Sequence, residues 1–379
     1  MGTPPQGNPI HSIFHNLGTM NPQESELDYV FGETLPATGK TLEVAPGVRW
    51  LRMGLPFALN HINLWLLEDV REAADGSVEN GWTIVDCGIA SDATRDAWEA
   101  IFTNELRGLP VFRVIVTHCH PDHVGLSAWL CERWQAPLYM TVGEYGFARM
   151  MAAGLPGADG PAVLPFFQQH GLTDTAMIAQ LQGRKNYYPS LVPAVPQSFI
   201  RLEEGRSLAI GAQRWQVITG TGHSPEHAAL YCAGLNVLIS GDMVLPRIST
   251  NTSVFAIEPE SDAVGNFLDS IQKFRSLPEQ TLVLPSHGKP FRGLHQRIAQ
   301  LASHHADRLA EVRAACATPQ SAADIVPIMF RRELDMHQLT FAMGEALAHL
   351  HRLWYAGELR RFRDDNHVWR FVSALQGRR

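Results

Sequence analysis

The stretch Thr117-His118-Cys119-His120-Pro121-Asp122-His123-Val124-Gly125 decides how the rest of the chain is read. It follows directly on the run 112–116 (FRVIV), which is apolar and β-branched enough to be a buried strand. Pro and Gly after a strand make a rigid turn, so the side chains of the loop converge instead of spreading over a surface. Three of those side chains are imidazoles and one is a carboxylate, the ligands that zinc and similar transition metals take. The loop therefore reads as half of a metal site; a polar loop whose histidines only hydrogen-bond is the plainer alternative.

Outward from this loop, the same residue types recur after further strand-like runs. His223 stands in the glycine-rich turn Thr219-Gly220-Thr221-Gly222-His223, after the run 214–218. Asp242 stands in Ser240-Gly241-Asp242, after 236–240, and His287 in Pro285-Ser286-His287-Gly288, after 282–284. A single His or Asp at a strand end is usually a cap or turn residue. Three in succession, all beyond the histidine loop, point to one constellation. Additional strands are expected at 48–53, 62–67 and 82–86, with a helix over 93–106 and another whose face is Val264, Phe267, Leu268, Ile271 and Phe274. Strands alternating with helices predict an α/β layered core with its chemistry at the strand ends. Asn60, His61 and Asn63 open a buried strand and are expected to make structural hydrogen bonds.

As an ordered set, HxHxDH, GH, GD and HG over roughly 41–292, with Asp86 in Ile84-Val85-Asp86-Cys87-Gly88, resembles the metallo-β-lactamase superfamily. The resemblance implies a four-layer αβ/βα sandwich with two metal ions at one edge. It implies that His118, His120 and His223 hold the first ion, that Asp122, His123 and His287 hold the second, and that Asp242 bridges them. Asp86 would support the ligand loop from behind. Two zinc ions, with iron or manganese as alternatives for the same ligands, would lower the pKa of a shared water and give a hydroxide nucleophile near neutral pH. Asp122 and Asp242 are the catalytic candidates, as acceptors of the proton released. Cys119 falls between two ligands and is expected to be a packing thiol, not a ligand.

The domains expected are an extended N-terminal arm over 1–40, packed on a neighbour or partly disordered, a catalytic domain over 41–292, and a tail over 293–379. In the tail, His304-His305-x-x-Arg308, the helix around 342–355 and the hairpin 359–372 resemble the winged-helix ending of the β-lactamase-like endoribonuclease and thioesterase group. The insertion 143–200 is rich in Met, Phe and Tyr and punctuated by Gly and Pro, which suits a lid over an apolar acyl or aromatic group; a helical pair burying its own face is the alternative. Tyr187 and Tyr188 are candidate wall residues, and Arg184 and Lys185 candidates for an anionic substrate group. The reaction expected is hydrolysis of an ester, thioester or lactone of a small or carrier-linked acyl compound, with an endoribonuclease or phosphodiesterase as the alternative.

Composition narrows the partners. A formal net charge of −7 argues against a polyanion as obligatory partner. No leader-like N-terminus or membrane-length apolar run is read, and the five scattered cysteines suggest reduced thiols, so a cytoplasmic enzyme is expected, with a homodimer contact a possible use of the tail.

Overall fold

The computed structural model describes residues 23–73, 75–155, 160–183 and 187–374. An antiparallel meander comes first: β1 (Leu42–Ala45), β2 (Val48–Gly54), β3 (His61–Glu72) and β4 (Val78–Val85). After α1 (Asp92–Asn104), strand β5 (Val111–Ile115) lies parallel to β4. The short helices α2 (Pro121–Val124) and α3 (Ser127–Trp134) lead to β6 (Leu138–Met140). Four helices follow, α4 (Val142–Ala152), α5 (Gly160–Gln169), α6 (Thr175–Gly183) and α7 (Tyr187–Leu191), before β7 (Ile200–Arg201) closes a seven-stranded sheet in chain order.

A second sheet has five strands among the described residues, ordered β12-β11-β10-β9-β8. Its members are β8 (Ser207–Ile210), β9 (Gln213–Gly220), β10 (His227–Cys232), β11 (Val237–Gly241) and, after α8 (Ala263–Gln272), β12 (Leu282–Pro285). The chain ends in α9 (Leu294–Ala315), α10 (Ala322–Met329), α11 (Met336–Tyr355) and the hairpin β13 (Leu359–Arg363) and β14 (Trp369–Ser373).

The two-residue period of a strand explains the layering. On β3, Trp65 and Leu67 face the second sheet and meet Trp215, Leu230 and Ile239, while Ile62, Leu64 and Leu66 face the helices and meet Trp98 and Ile101 of α1. The second sheet does the same with its other face: Ile218, Leu238 and Val283 pack on Phe267 and Ile271 of α8 and on Ile298 of α9. Helix, sheet, sheet, helix is the resulting order of layers. Helix α1 starts where Ser91 caps it, its side chain accepting from the Thr94 N–H.

Two packings bear on the sequence reading. In the described part of the arm, 23–40, Leu27 is buried beside Phe291 and Leu294, and the Gln300 amide donates to the Gln23 carbonyl at 2.8 Å. A single apolar residue with a cleft to fill outweighs the polar composition around it. The insertion, in turn, does not rest on the sheets alone. Leu164, Phe167, Leu172 and Leu181 share one apolar core with Val312, Ile325, Leu350 and Phe371 of the C-terminal helices and hairpin. No helix of the described residues is long and apolar enough to cross a membrane.

Candidate metal centre

Four strands of the two sheets end at one edge of the sandwich, and each delivers a side chain there. Beyond β5, His120 caps the single turn of α2 and Pro121 occupies its first position, where the ring costs no hydrogen bond. That turn carries Asp122 and His123. Beyond β9, Gly222 adopts φ +94°, and a Cβ there would lie 2.3 Å from the Ala263 carbonyl oxygen, so only glycine lets His223 come in. Beyond β11, Gly241 at φ +54° is equally constrained, because a Cβ would strike the His227 ring. Asp242 follows it, and His287 follows the end of β12.

The seven side chains form two groups, His118, His120, His223 and Asp242 in one and Asp122, His123 and His287 in the other. Within the first, His118 Nε2 lies 2.9 Å from His120 Nδ1 and 3.2 Å from His223 Nε2. Asp242 links the groups: its Oδ2 is 3.4 Å from His223 Nε2, and its Oδ1 is 3.5 Å from both His123 Nε2 and His287 Nε2. Asp122 Oδ2 stands 3.4 Å from His287 Nε2.

The outer nitrogens fix the proton positions. His223 Nδ1 meets the Asn251 carbonyl at 2.8 Å, His287 Nδ1 the His61 carbonyl at 2.8 Å, and His123 Nδ1 the Asp86 carboxylate at 2.8 Å. Those oxygens only accept, so each Nδ1 carries a proton and each Nε2 is the atom turned to the centre. His123 Nε2 and Asp242 Oδ1 are buried with no hydrogen-bond partner among the described residues. Buried polar atoms left unpaired beside a carboxylate are costly unless positive charge, a proton or a metal cation, is supplied there.

Charge agrees with that reading. Burial, and then neighbouring imidazoles, push His118 and His120 well below the usual histidine range, so both are neutral and able to ligate. Burial would lower His123 as well, but Asp86, Asp122 and Asp242 outweigh it and lift it to about 10. His287 is raised against its burial by Asp242 and Asp122. The carboxylates thus create a place for positive charge.

A scaffold of buried residues holds the loops. Asp86, at φ 64° beyond β4, accepts the Thr117 N–H at 2.8 Å as well as the His123 N–H. Asn63 reaches the carbonyls of Pro285 and Gly288 at 2.8 and 2.9 Å, and the Gly288 N–H donates to His61 Nε2 at 2.9 Å, so both anchor the His287 loop. Sequence reasoning missed two others. His227, at the start of β10, accepts the Asp242 N–H at 3.2 Å and lies against His118, ring centres 4.9 Å apart. Glu144 of α4, fully buried, accepts Cys119 N–H at 2.8 Å, and Ser224 Oγ–H and Glu226 N–H at 2.6 Å each. The Ser224-Pro225-Glu226-His227 run before a fully buried strand was the available signal for His227; Glu144 had none.

Cys119 belongs to neither ligand group. Its thiol is buried and pushed up by burial and then by Glu144, which suits a neutral packing group. Cys119→Ser is expected to keep its metal content and to cost about 1 kcal/mol or less of stability, since Glu144 can accept from the hydroxyl. Metal analysis and thermal unfolding check this; loss of metal would make Cys119 a ligand.

Beside the His120 and His223 face opens a cavity of about 360 Å³. Besides the loops 119–121 and 221–225, its walls come from the insertion, the loop 253–263, Asn266 of α8, and α11 through Thr340, Phe341 and Gly344. Tyr187 and Tyr188 both line it, and the Tyr188 hydroxyl also donates to the Cys119 carbonyl at 2.5 Å. Arg184 and Lys185 lie outside the described residues.

Known proteins resemble this chain. The model of the metallo-beta-lactamase superfamily matches residues 70–287, which includes every strand end described above. This chain belongs to the metallo-beta-lactamase superfamily. The model of the metallo-beta-lactamase-like C-terminal domain matches 309–374. Among solved structures, a beta-lactamase domain protein from Burkholderia ambifaria is 58% identical, covers 93% of this chain and 100% of its own, and superposes with a TM-score of 0.87. A metallo-beta-lactamase family protein from Thermus thermophilus is 27% identical over 87% of this chain and 100% of its own, with a TM-score of 0.69. The probable metallo-hydrolase YqjP of Bacillus subtilis is 21% identical over 79% of this chain and 90% of its own. This superfamily member is accordingly a metal-dependent hydrolase, with a His/Asp cluster able to hold metal ions.

Proposed function

We propose that the enzyme is a dinuclear hydrolase of carboxylic esters, thioesters or lactones. The observation that supports it is the division of seven ligand-type side chains into two groups joined by Asp242. His118, His120 and His223 would hold one ion, Asp122, His123 and His287 the other, and Asp242 both; histidine and carboxylate ligands of this number suit zinc. Two such ions supply an acidified water and a Lewis acid for the carbonyl oxygen.

The chain's own residues do the rest. Asp122, with 18% of its side chain accessible against 10% for Asp242, is the carboxylate better exposed to take the proton that the attacking water releases. Asp86, Asn63, His61 and Glu144 keep the loops in register so that nothing reorganises during reaction. A carbon–oxygen bond forms from water, the carbon–oxygen or carbon–sulfur bond to the leaving group breaks, and that group departs with the proton. The products are a carboxylate and an alcohol or thiol.

An acyl substrate is favoured over a nucleic acid by two observations. The cavity beside His120 and His223 is walled by aromatic and aliphatic side chains such as Phe147, Phe167 and Phe341. Two arginines of the C-terminal hairpin, which we read with α9 to α11 as a winged helix, are already engaged: Arg361 pairs with Glu260 and stacks on Trp354, and Arg370 pairs with Asp324 and Asp364. A basic face free for phosphates is thus not formed by these residues.

The test is zinc titration of the purified protein followed by a panel of acyl thioesters, lactones, bis-p-nitrophenyl phosphate and single-stranded RNA. Two ions per chain and turnover of the acyl compounds are expected. A stoichiometry of one after excess zinc would overturn the dinuclear site, and turnover of RNA alone would overturn the substrate.

A further inference from the structure

The cavity is lined mostly by apolar side chains, with Glu258, Asn266 and Thr340 among its polar residues. Deep in it stand Phe167 and Leu181 of the insertion and Val254 of the 253–263 loop, all buried; at the rim stand Phe255, Ile257 and Phe341, each 40–45% exposed. Large apolar side chains exposed together around one opening mark a place where an apolar group enters. Beyond Ile257 and Glu258 the space continues as a shallow groove between that loop and α4, where Gly143 and Gly146 present no side chains.

We propose that this chamber holds the tail of the substrate, an unbranched acyl chain of about ten to fourteen carbons whose carbonyl lies at His120 and His223; the proposal rests on the acyl-hydrolase reading above. Volume sets the length. An apolar cavity of about 150 Å³ holds benzene, roughly 25 Å³ per carbon, and at that density the volume here corresponds to a chain of this size. The lining runs from His120 and His223, past Phe147 of α4 and Phe167 of α5, to Phe341 of α11, which suits a chain better than a compact group. The chamber exists only because the insertion and the C-terminal helices share a core, Phe167 and Leu181 packing with Val326 and Leu347. Chain-length preference is therefore written jointly by two segments that are far apart in sequence.

Zinc-loaded protein is to be titrated with 11-(dansylamino)undecanoic acid, and displacement by acetate, hexanoate, decanoate and dodecanoate measured by fluorescence. Alongside, kcat/KM is measured on p-nitrophenyl esters from acetate to hexadecanoate. Each buried methylene strengthens binding roughly fourfold. Decanoate and dodecanoate should displace the probe at concentrations at least a hundredfold below acetate, and kcat/KM should rise at least a hundredfold from acetate to decanoate, then level off. Met151→Trp, which intrudes on the chamber from α4, should lower the decanoate-to-acetate ratio of kcat/KM at least tenfold; Phe341→Ala, at the exposed rim, should lower it as well. Ester hydrolysis with a flat chain-length profile and no saturable probe binding would overturn the chamber while leaving the hydrolase reading intact. Chain-dependent probe binding without hydrolysis of any ester would uphold the chamber and remove the ester reading.

Discussion

An Asp242→Asn variant is expected to lose hydrolytic turnover by about 10³-fold or more and to hold fewer than two ions per chain. Among the described residues Asp242 is the carboxylate that faces both groups, one oxygen toward His223 and the other toward His123 and His287, so its loss separates them. Burial alone would raise its carboxyl, yet His287, His123 and His223 hold it well below the usual carboxylate range. Its surroundings thus favour the anion, and the neutral amide removes that charge while keeping the shape. The backbone needs none of this. Asp242 N–H is held by His227 and its carbonyl by the Thr250 hydroxyl at 2.5 Å, so far-ultraviolet circular dichroism should be unchanged. Asp122→Ala should also remove activity with the fold retained, but should leave the His118, His120, His223 and Asp242 group able to bind one ion. Turnover within tenfold of the parent, with two ions still bound to Asp242→Asn, would sink the bridging assignment.

How much of this is legible in the sequence follows from where each signal lies. The ligand loop and the three later strand ends can be read because each joins a local pattern, an apolar run, to a residue type that has few uses. The layers follow from the same runs. Apolar residues place β3 at 62–67, but the strand extends to Glu72, because its polar continuation pairs with β4: Arg71 meets Glu79 at 2.7 Å, and the Thr83 hydroxyl donates to Asp69 at 2.7 Å. Alternation of apolar residues gives out there, while cross-strand partners do not. The insertion's helices are recognisable by composition, yet their partner is not. Leu164 and Leu181 bury against residues some 150 positions later, a separation no periodicity encodes. Strand β10 escapes the sequence reading although His227–Cys232 is buried throughout, because two alanines weaken the apolar signal that a central strand between two neighbours does not need.

Glu144 is the extreme of this illegibility, and its substitution makes the second large prediction. In sequence it is one charged residue on an amphipathic helix, for which an exposed place is the ordinary expectation. In the structure it is fully buried, and burial raises its carboxyl above the usual range even though Ser224, Glu226 and Cys119 all donate to it. One oxygen takes the Ser224 hydroxyl and the Glu226 N–H; the other takes the Cys119 N–H. The carboxylate thus ties the loop carrying His118 and His120 to the loop carrying His223. Glutamine has a single acceptor oxygen, so in either orientation its amide donor faces an N–H or O–H that has lost its acceptor. Residues behind the ligands typically account for 10–100-fold in metal affinity, and an unmet buried donor costs about 1–3 kcal/mol of stability. Glu144→Gln should accordingly weaken zinc binding about 10–100-fold in chelator competition, with the His118–His120–His223 site affected before the other. Tyr188→Phe is the control, because it removes only the hydroxyl donated to the Cys119 carbonyl and leaves both loops joined. It should change zinc affinity by less than about threefold, in keeping with the modest net worth of one hydrogen bond. If Glu144→Gln bound zinc as tightly as the parent, the two ligand loops would be held in register by their own strands, and α4 would serve the chamber alone.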